Sequence, residues 1–236
     1  MDVSKRPVAK DAWEVGWRFL VALGVGATAG ALIGGIGGRL VMFVLRLASD
    51  NSLHGVLTDD SFEIGQFSTA TGFLLMVTAG LGGAAGVVYL LLRSALPRRG
   101  RAVVFGVFAA IFGGADLLKP EGIDFTLLHP KPFAVASFIL LPGLGAFVIA
   151  VFVERLLAVE PWSRRALTVA LGLAALPLFS VLPAVAAMAA VVVAVRRRSR
   201  LADAVLTFGK VAVPVGLVSL TGWSGLELWR DATEIL

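Results

Sequence analysis

A single lysine stands where an ammonium group is expensive. Lys210 falls near the middle of an apolar run from 201 to 223. An ammonium in hydrocarbon costs roughly 2.5 to 3.5 kcal/mol on insertion scales, so a partner or a watery cavity is expected beside it. Such a group could hold an anionic solute or relay a proton. The structural alternative is that it pairs with Asp203 two turns away or snorkels toward a helix end.

A second set of candidates is acidic. Asp59, Asp60, Glu63, Asp116, Glu121 and Asp124, together with His54 and His129, lie in or beside two polar stretches between apolar runs. Oxygen ligands with an imidazole could bind a divalent cation, but their spacing follows no metal motif and no metal site is assigned. Solvated loops, or pairing with nearby arginines, is the plainer expectation. Arg39 and Arg46 are seven residues apart, hence on one helical face, where they could hold an anionic headgroup or a loop carboxylate. The chain has no cysteine, which removes thiolate catalysis, disulfides and Cys-ligated metals. It also lacks a Ser-His-Asp order, an HExxH helix and a P-loop lysine, so no catalytic residue and no cofactor is expected.

The elements that must position these groups follow from composition. Of 236 residues, 58% are hydrophobic and 16% charged, too apolar a balance for a water-soluble domain. A crossing helix needs roughly 20 apolar residues, and the runs predict an all-α, polytopic transmembrane helical bundle. The spans fall at about 17–38, 70–92, 102–118, 133–157, 162–179, 183–198 and 201–223 in one membrane domain over 1–236. Pro142-Gly143 predicts a break inside the fourth span, and GLELWRDATEIL an amphipathic interfacial tail. The charge-free stretch 166–195 would be about 45 Å long as one helix, which favours a hairpin and seven spans over a kinked helix and six.

Charge sets the expected orientation. Lys and Arg cluster in 1–18, 93–101, 154–165 and 196–200, which all share one side if 166–195 is a hairpin. That basic side should be cytoplasmic, giving a multi-pass protein of the cell membrane, a plasma or bacterial inner membrane, with its N-terminus inside and its C-terminus outside. Clustering at span ends also makes orientation, not nucleic-acid binding, the purpose of the net charge of +5. Gly26, Gly30, Gly34 and Gly38 recur every four residues, and Gly82 and Gly86 repeat the spacing in the second run. Such stripes let helix backbones approach closely; no strand precedes them as a phosphate-binding loop requires.

The segments GGRLVMFVLRLAS (37–49), GVLTDDSFEIGQFS (55–68), YLLLRSALPRRGR (89–101) and the later DF, HP and FAVASF elements resemble a family of uncharacterised polytopic membrane proteins of high-GC bacteria. The likeness extends to about residue 157. It implies an outer-face element around Thr58, Asp59, Asp60, Ser61 and Phe62, and implies no activity. The function expected is a non-enzymatic membrane subunit or scaffold, in contact with lipid and either further copies of itself or a membrane-protein partner. The alternative is a small-solute or ion transporter using Lys210 and the acidic outer residues.

Overall fold

The computed structural model describes residues 8–49, 69–122, 125, 129–159, 170–172 and 199–236, and all elements within them are helical. The expected spans at 162–179 and 183–198, and with them the choice between hairpin and kinked helix, lie outside the described residues. So do Asp59, Asp60, Glu63 and Asp124.

The first apolar run forms one unbroken rod: α1 (Val8–Ala29), a π-helical segment (Gly30–Gly37) and α2 (Gly38–Ala48). It is followed by α3 (Thr69–Leu92), α4 (Arg101–Leu117), α5 (Lys131–Leu157) and α6 (Ser199–Ile235). Three stretches, Trp13–Ala48, Thr71–Leu92 and Lys131–Leu157, are long and apolar enough to cross a membrane. Gly100, at φ 85°, takes the left-handed turn that a side chain would resist, and so lets α4 start directly after the basic turn.

Contacts fix the helix directions. Gly26 meets Gly82, Gly30 meets Thr78 and Gly86 meets Ala22, so α1 and α3 are antiparallel. Gly106 lies against Gly143 and Phe147, and Gly114 against Ile139, which makes α4 and α5 antiparallel as well. Leu228 of α6 packs on Gly114, and Ile111 approaches Gly225, so the C-terminal part of α6 runs parallel to α4. Ile235 is then buried beside Leu45, Leu118, Phe125 and Val135, all at the end of the bundle where α2 finishes. A second core, at the basic end, joins Trp17 and Val21 of α1, Tyr89 of α3, Phe105 of α4 and Ile149 and Val153 of α5.

Two expectations about helix continuity are corrected. α5 runs through Pro142 without a break. A proline costs one backbone hydrogen bond, but the flanking bonds are worth keeping in an apolar setting, and Gly113 of α4 leaves room for the ring: a Cβ there would come 2.7 Å from the Pro142 Cβ. The tail 225–236 is likewise no separate interfacial helix, since α6 is continuous over 37 residues. Leu228, Ala232 and Ile235, spaced as successive turns, seal it onto the acidic-end core.

The glycine stripe has a register shift within it. A Cβ on Gly26, Gly30, Gly82 or Gly86 would fall inside a carbonyl of the facing helix, so α1 and α3 touch backbone to backbone. Beyond Gly30 the next residue to face α3 most closely is Gly35, whose Cβ would stand 2.6 Å from Leu75 Cδ2 and 2.8 Å from Thr78 Oγ1. That step of five residues is the repeat of a π-helix, whose hydrogen bonds run i to i+5. Gly34 keeps a looser contact at 3.3 Å from Thr78 Cβ, while a Cβ on Gly38 would meet nothing within 4 Å. A four-residue repeat therefore stops describing the packed face once the helix widens.

Candidate functional site: a carboxylate shared by two arginines

Three helix ends converge on Glu154. It sits one turn before the end of α5, an element that buries Ile149, Ala150 and Val153 and thereby fixes the height of the next residue. Tyr89 and Arg93 are four apart at the end of α3 and so present to one face. Arg101 opens α4 immediately after the left-handed Gly100. Tyr89 is fully buried, with its ring 5.1 Å from that of Phe105.

The carboxylate receives four donors. Arg93 grips it with two bonds, Nε to Oε1 at 2.6 Å and Nη2 to Oε2 at 2.7 Å. The Tyr89 hydroxyl donates to Oε1 at 2.8 Å, and Arg101 Nη1 donates to the same oxygen at 3.3 Å. Bidentate guanidinium pairing is the strongest common form of charge-assisted hydrogen bond. The bond to Glu154 raises the Arg93 pKa above its ordinary value, against the opposing effect of burial, so this cation persists at any physiological pH. With its oxygens so occupied, Glu154 is poorly placed to accept a proton from a substrate. What the arrangement does is hold α3, α4 and α5 together at the basic end.

Beside this cluster a cleft of about 240 Å³ is lined by Glu14, Arg18, Arg93, Glu154, Leu157 and Ala158. Arg18 Nε donates to Glu14 at 3.3 Å, one turn earlier on α1. The acidic end carries a larger and more open cleft of about 650 Å³, where Asp116, Lys119 and Glu121 face Arg230, Asp231 and Glu234 of α6. No group of three or more His, Cys, Asp or Glu side chains suited to a metal ion occurs among the described residues.

The residues singled out from sequence are scattered over this frame. Asp116, exposed in the last turn of α4, lines the acidic-end cleft. His129 has an exposed side chain, and its role is played by the backbone: its N–H donates to Ser49 Oγ at 2.9 Å, tying the end of α2 to the start of α5. Arg39 is buried at 5% exposure within the bundle and Arg46 is half-buried, so the two do not form one exposed headgroup clamp. Lys210 belongs to α6 by its backbone, and its side chain lies outside the described part. The structure brings none of these together around one point.

The Glu154 cluster was missed because its members read as ordinary span-end charges. Arg93 and Arg101 entered only as orienting charges and Glu154 only as a span end. The available signal was a Tyr-x-x-x-Arg pair closing one apolar helix and a carboxylate one turn from the end of another. Comparisons with known protein families, curated proteins and solved structures find no match for this chain.

Proposed function

We propose that the chain is a multi-pass integral membrane protein of the cell membrane, with a cytoplasmic N-terminus, acting as a non-enzymatic subunit or scaffold. The observation that carries this reading is the Glu154 cluster, whose charges are spent on one another across three helices. Such an arrangement serves rigidity better than turnover. The backbone contact between α1 and α3 adds to it, since helices that close leave no room for a solute between them. Outward-facing Leu32, Phe73, Leu81, Leu140, Trp223 and Trp229 are each more than half exposed, a surface suited to lipid and to helices of another subunit.

Purification in mild detergent followed by native mass spectrometry tests the reading. A homo-oligomer or a second protein at fixed stoichiometry is expected; a clean monomer in both detergent and nanodiscs overturns it. One observation favours a different reading, in which the chain moves a small solute or ion: the open cleft of about 650 Å³ at the acidic end, with Asp116 and Glu121 at its wall. That reading requires Lys210→Met to abolish ion flux into proteoliposomes while the protein stays folded. Flux that survives the substitution removes it.

A further inference from the structure

From the cleft beside Glu154 we infer that the basic end of the bundle holds one zwitterionic phosphoethanolamine group, its phosphate on Arg18 and Arg93 and its ammonium on Glu14. The cleft is at headgroup height by construction. Arg93 follows directly on the apolar stretch Thr71–Leu92, Glu154 and Leu157 close Lys131–Leu157, and Glu14 and Arg18 open Trp13–Ala48. A polar hollow at the meeting point of three such ends faces the phosphate layer of the leaflet.

The charges of the lining select the ligand. Arg93 and Arg101 share the single carboxylate of Glu154, so this part of the cluster carries one uncompensated positive charge. Arg93 binds Glu154 through Nε and Nη2, which leaves its Nη1 outside those two bonds. A guanidinium carries five N–H donors in a fork suited to phosphate oxygens. Across the cleft, Arg18 is joined to Glu14 only by a long contact of 3.3 Å, and both side chains are about half exposed at 45% and 40%. A purely anionic headgroup would meet the Glu14 carboxylate with its own charge. A headgroup with an ammonium two carbons from its phosphate satisfies both signs. The volume of about 240 Å³ admits a headgroup of that size, and Leu157 offers an apolar wall to the glycerol that follows.

The same chemistry occurs in a phospholipid and in a soluble phosphoethanolamine, so the experiment uses both. The full chain, delipidated in detergent, is titrated with dioleoylphosphatidylethanolamine, with dioleoylphosphatidylglycerol and with O-phosphoethanolamine, and bound adducts are counted by native mass spectrometry. One phosphatidylethanolamine is expected to bind at least tenfold more tightly than phosphatidylglycerol. Arg18→Gln should weaken that adduct about tenfold, and Glu14→Gln should reverse the preference toward phosphatidylglycerol. Both side chains lie at the rim, so the variants keep the fold, which circular dichroism and thermal unfolding verify. If O-phosphoethanolamine binds as tightly as the lipid, the group is supported with a soluble source; if only the lipid binds, it is supported with the membrane as source. Equal retention of the two lipids by the wild type, or an Arg18→Gln protein that holds phosphatidylethanolamine unchanged, overturns the inference.

Discussion

The two antiparallel helix pairs, α1 with α3 and α4 with α5, share a topology and differ in what lies at the crossing. Between α1 and α3 glycine faces glycine or a carbonyl: Gly26 against Gly82, Gly30 against the Thr78 carbonyl, Gly86 against the Ala22 carbonyl. Between α4 and α5 a glycine mostly faces a side chain: Gly113 meets the Pro142 ring, Gly114 meets Ile139, and Gly106 touches Phe147 as well as the Gly143 carbonyl. Where both surfaces are bare, the helices have no movable atom between them. Where one surface keeps its side chains, part of any added volume can be absorbed by a rotamer change. Apolar solvent gives helices no hydrophobic reason to associate, so close fit supplies the attraction in both pairs, and the first pair has the least tolerance.

The largest effect should follow from Gly26→Ala. Its methyl would overlap the Gly82 carbonyl, which no rotamer relieves, so the helices must separate along the whole crossing. A loss of about 3 kcal/mol or more is expected, at the upper end of overpacking costs, measured by denaturant unfolding in detergent micelles. If Gly26→Ala unfolds like the wild type, the backbone contact between α1 and α3 is wrong. Next comes Glu154→Gln, which tests how the two pairs are joined. The amide keeps the shape but leaves Arg93 and Arg101 facing each other without an anion between them, and the site is about one third exposed. Charge-assisted bonds to such a group and the unpaired cations together suggest about 2 to 3 kcal/mol. Glu154→Ala should do no less; a stability unchanged in both would deny the cluster its role.

Gly114→Ala probes the second pair at its forgiving side. The new methyl would stand 3.1 Å from Ile139 Cγ1 and 3.1 Å from Leu228 Cδ1, the ends of flexible side chains. A cost of about 1 kcal/mol is expected. If Gly114→Ala proves as damaging as Gly26→Ala, the contrast between the pairs disappears.

Much of this contrast could not be read along the chain. The apolar runs gave α3, α4 and α5 to within two residues, because Arg93, Arg101 and Pro130 punctuate stretches of membrane-crossing length. Glycine spacing pointed at the α1 and α3 faces for the same local reason. The partner of each glycine is set by how distant segments cross, and periodicity carries nothing about that. Pro142 read as a break because its compensating glycine lies on another helix, at Gly113. The Glu154 site was invisible for the same cause, since its arginines stand 61 and 53 residues away in sequence. Of the residues chosen from sequence, those with described side chains sit at separate places, because costly polar residues were selected one by one and a site needs convergence.

The smallest effect belongs to Gly38→Ala, and it tests the register shift that shapes the first pair. A strict four-residue repeat would make Gly38 equivalent to Gly30, and its alanine variant as harmful. The π-helical segment instead advances the packed face by five, from Gly30 to Gly35, and leaves Gly38 with no neighbour within 4 Å of an added Cβ. Alanine is the better helix former by roughly 0.5 to 1 kcal/mol, so Gly38→Ala should be neutral or slightly stabilising while Gly35→Ala destabilises. In Gly35 the added methyl presses on Leu75 Cδ2 at 2.6 Å, a side chain that can yield, so the loss should be smaller than for Gly26→Ala. Unfolding curves of the three alanine variants, measured side by side, should therefore rank Gly26, Gly35 and Gly38 from most to least harmful. A Gly38→Ala protein that loses as much stability as Gly26→Ala would mean that the helix keeps its ordinary four-residue face through Gly30–Gly37.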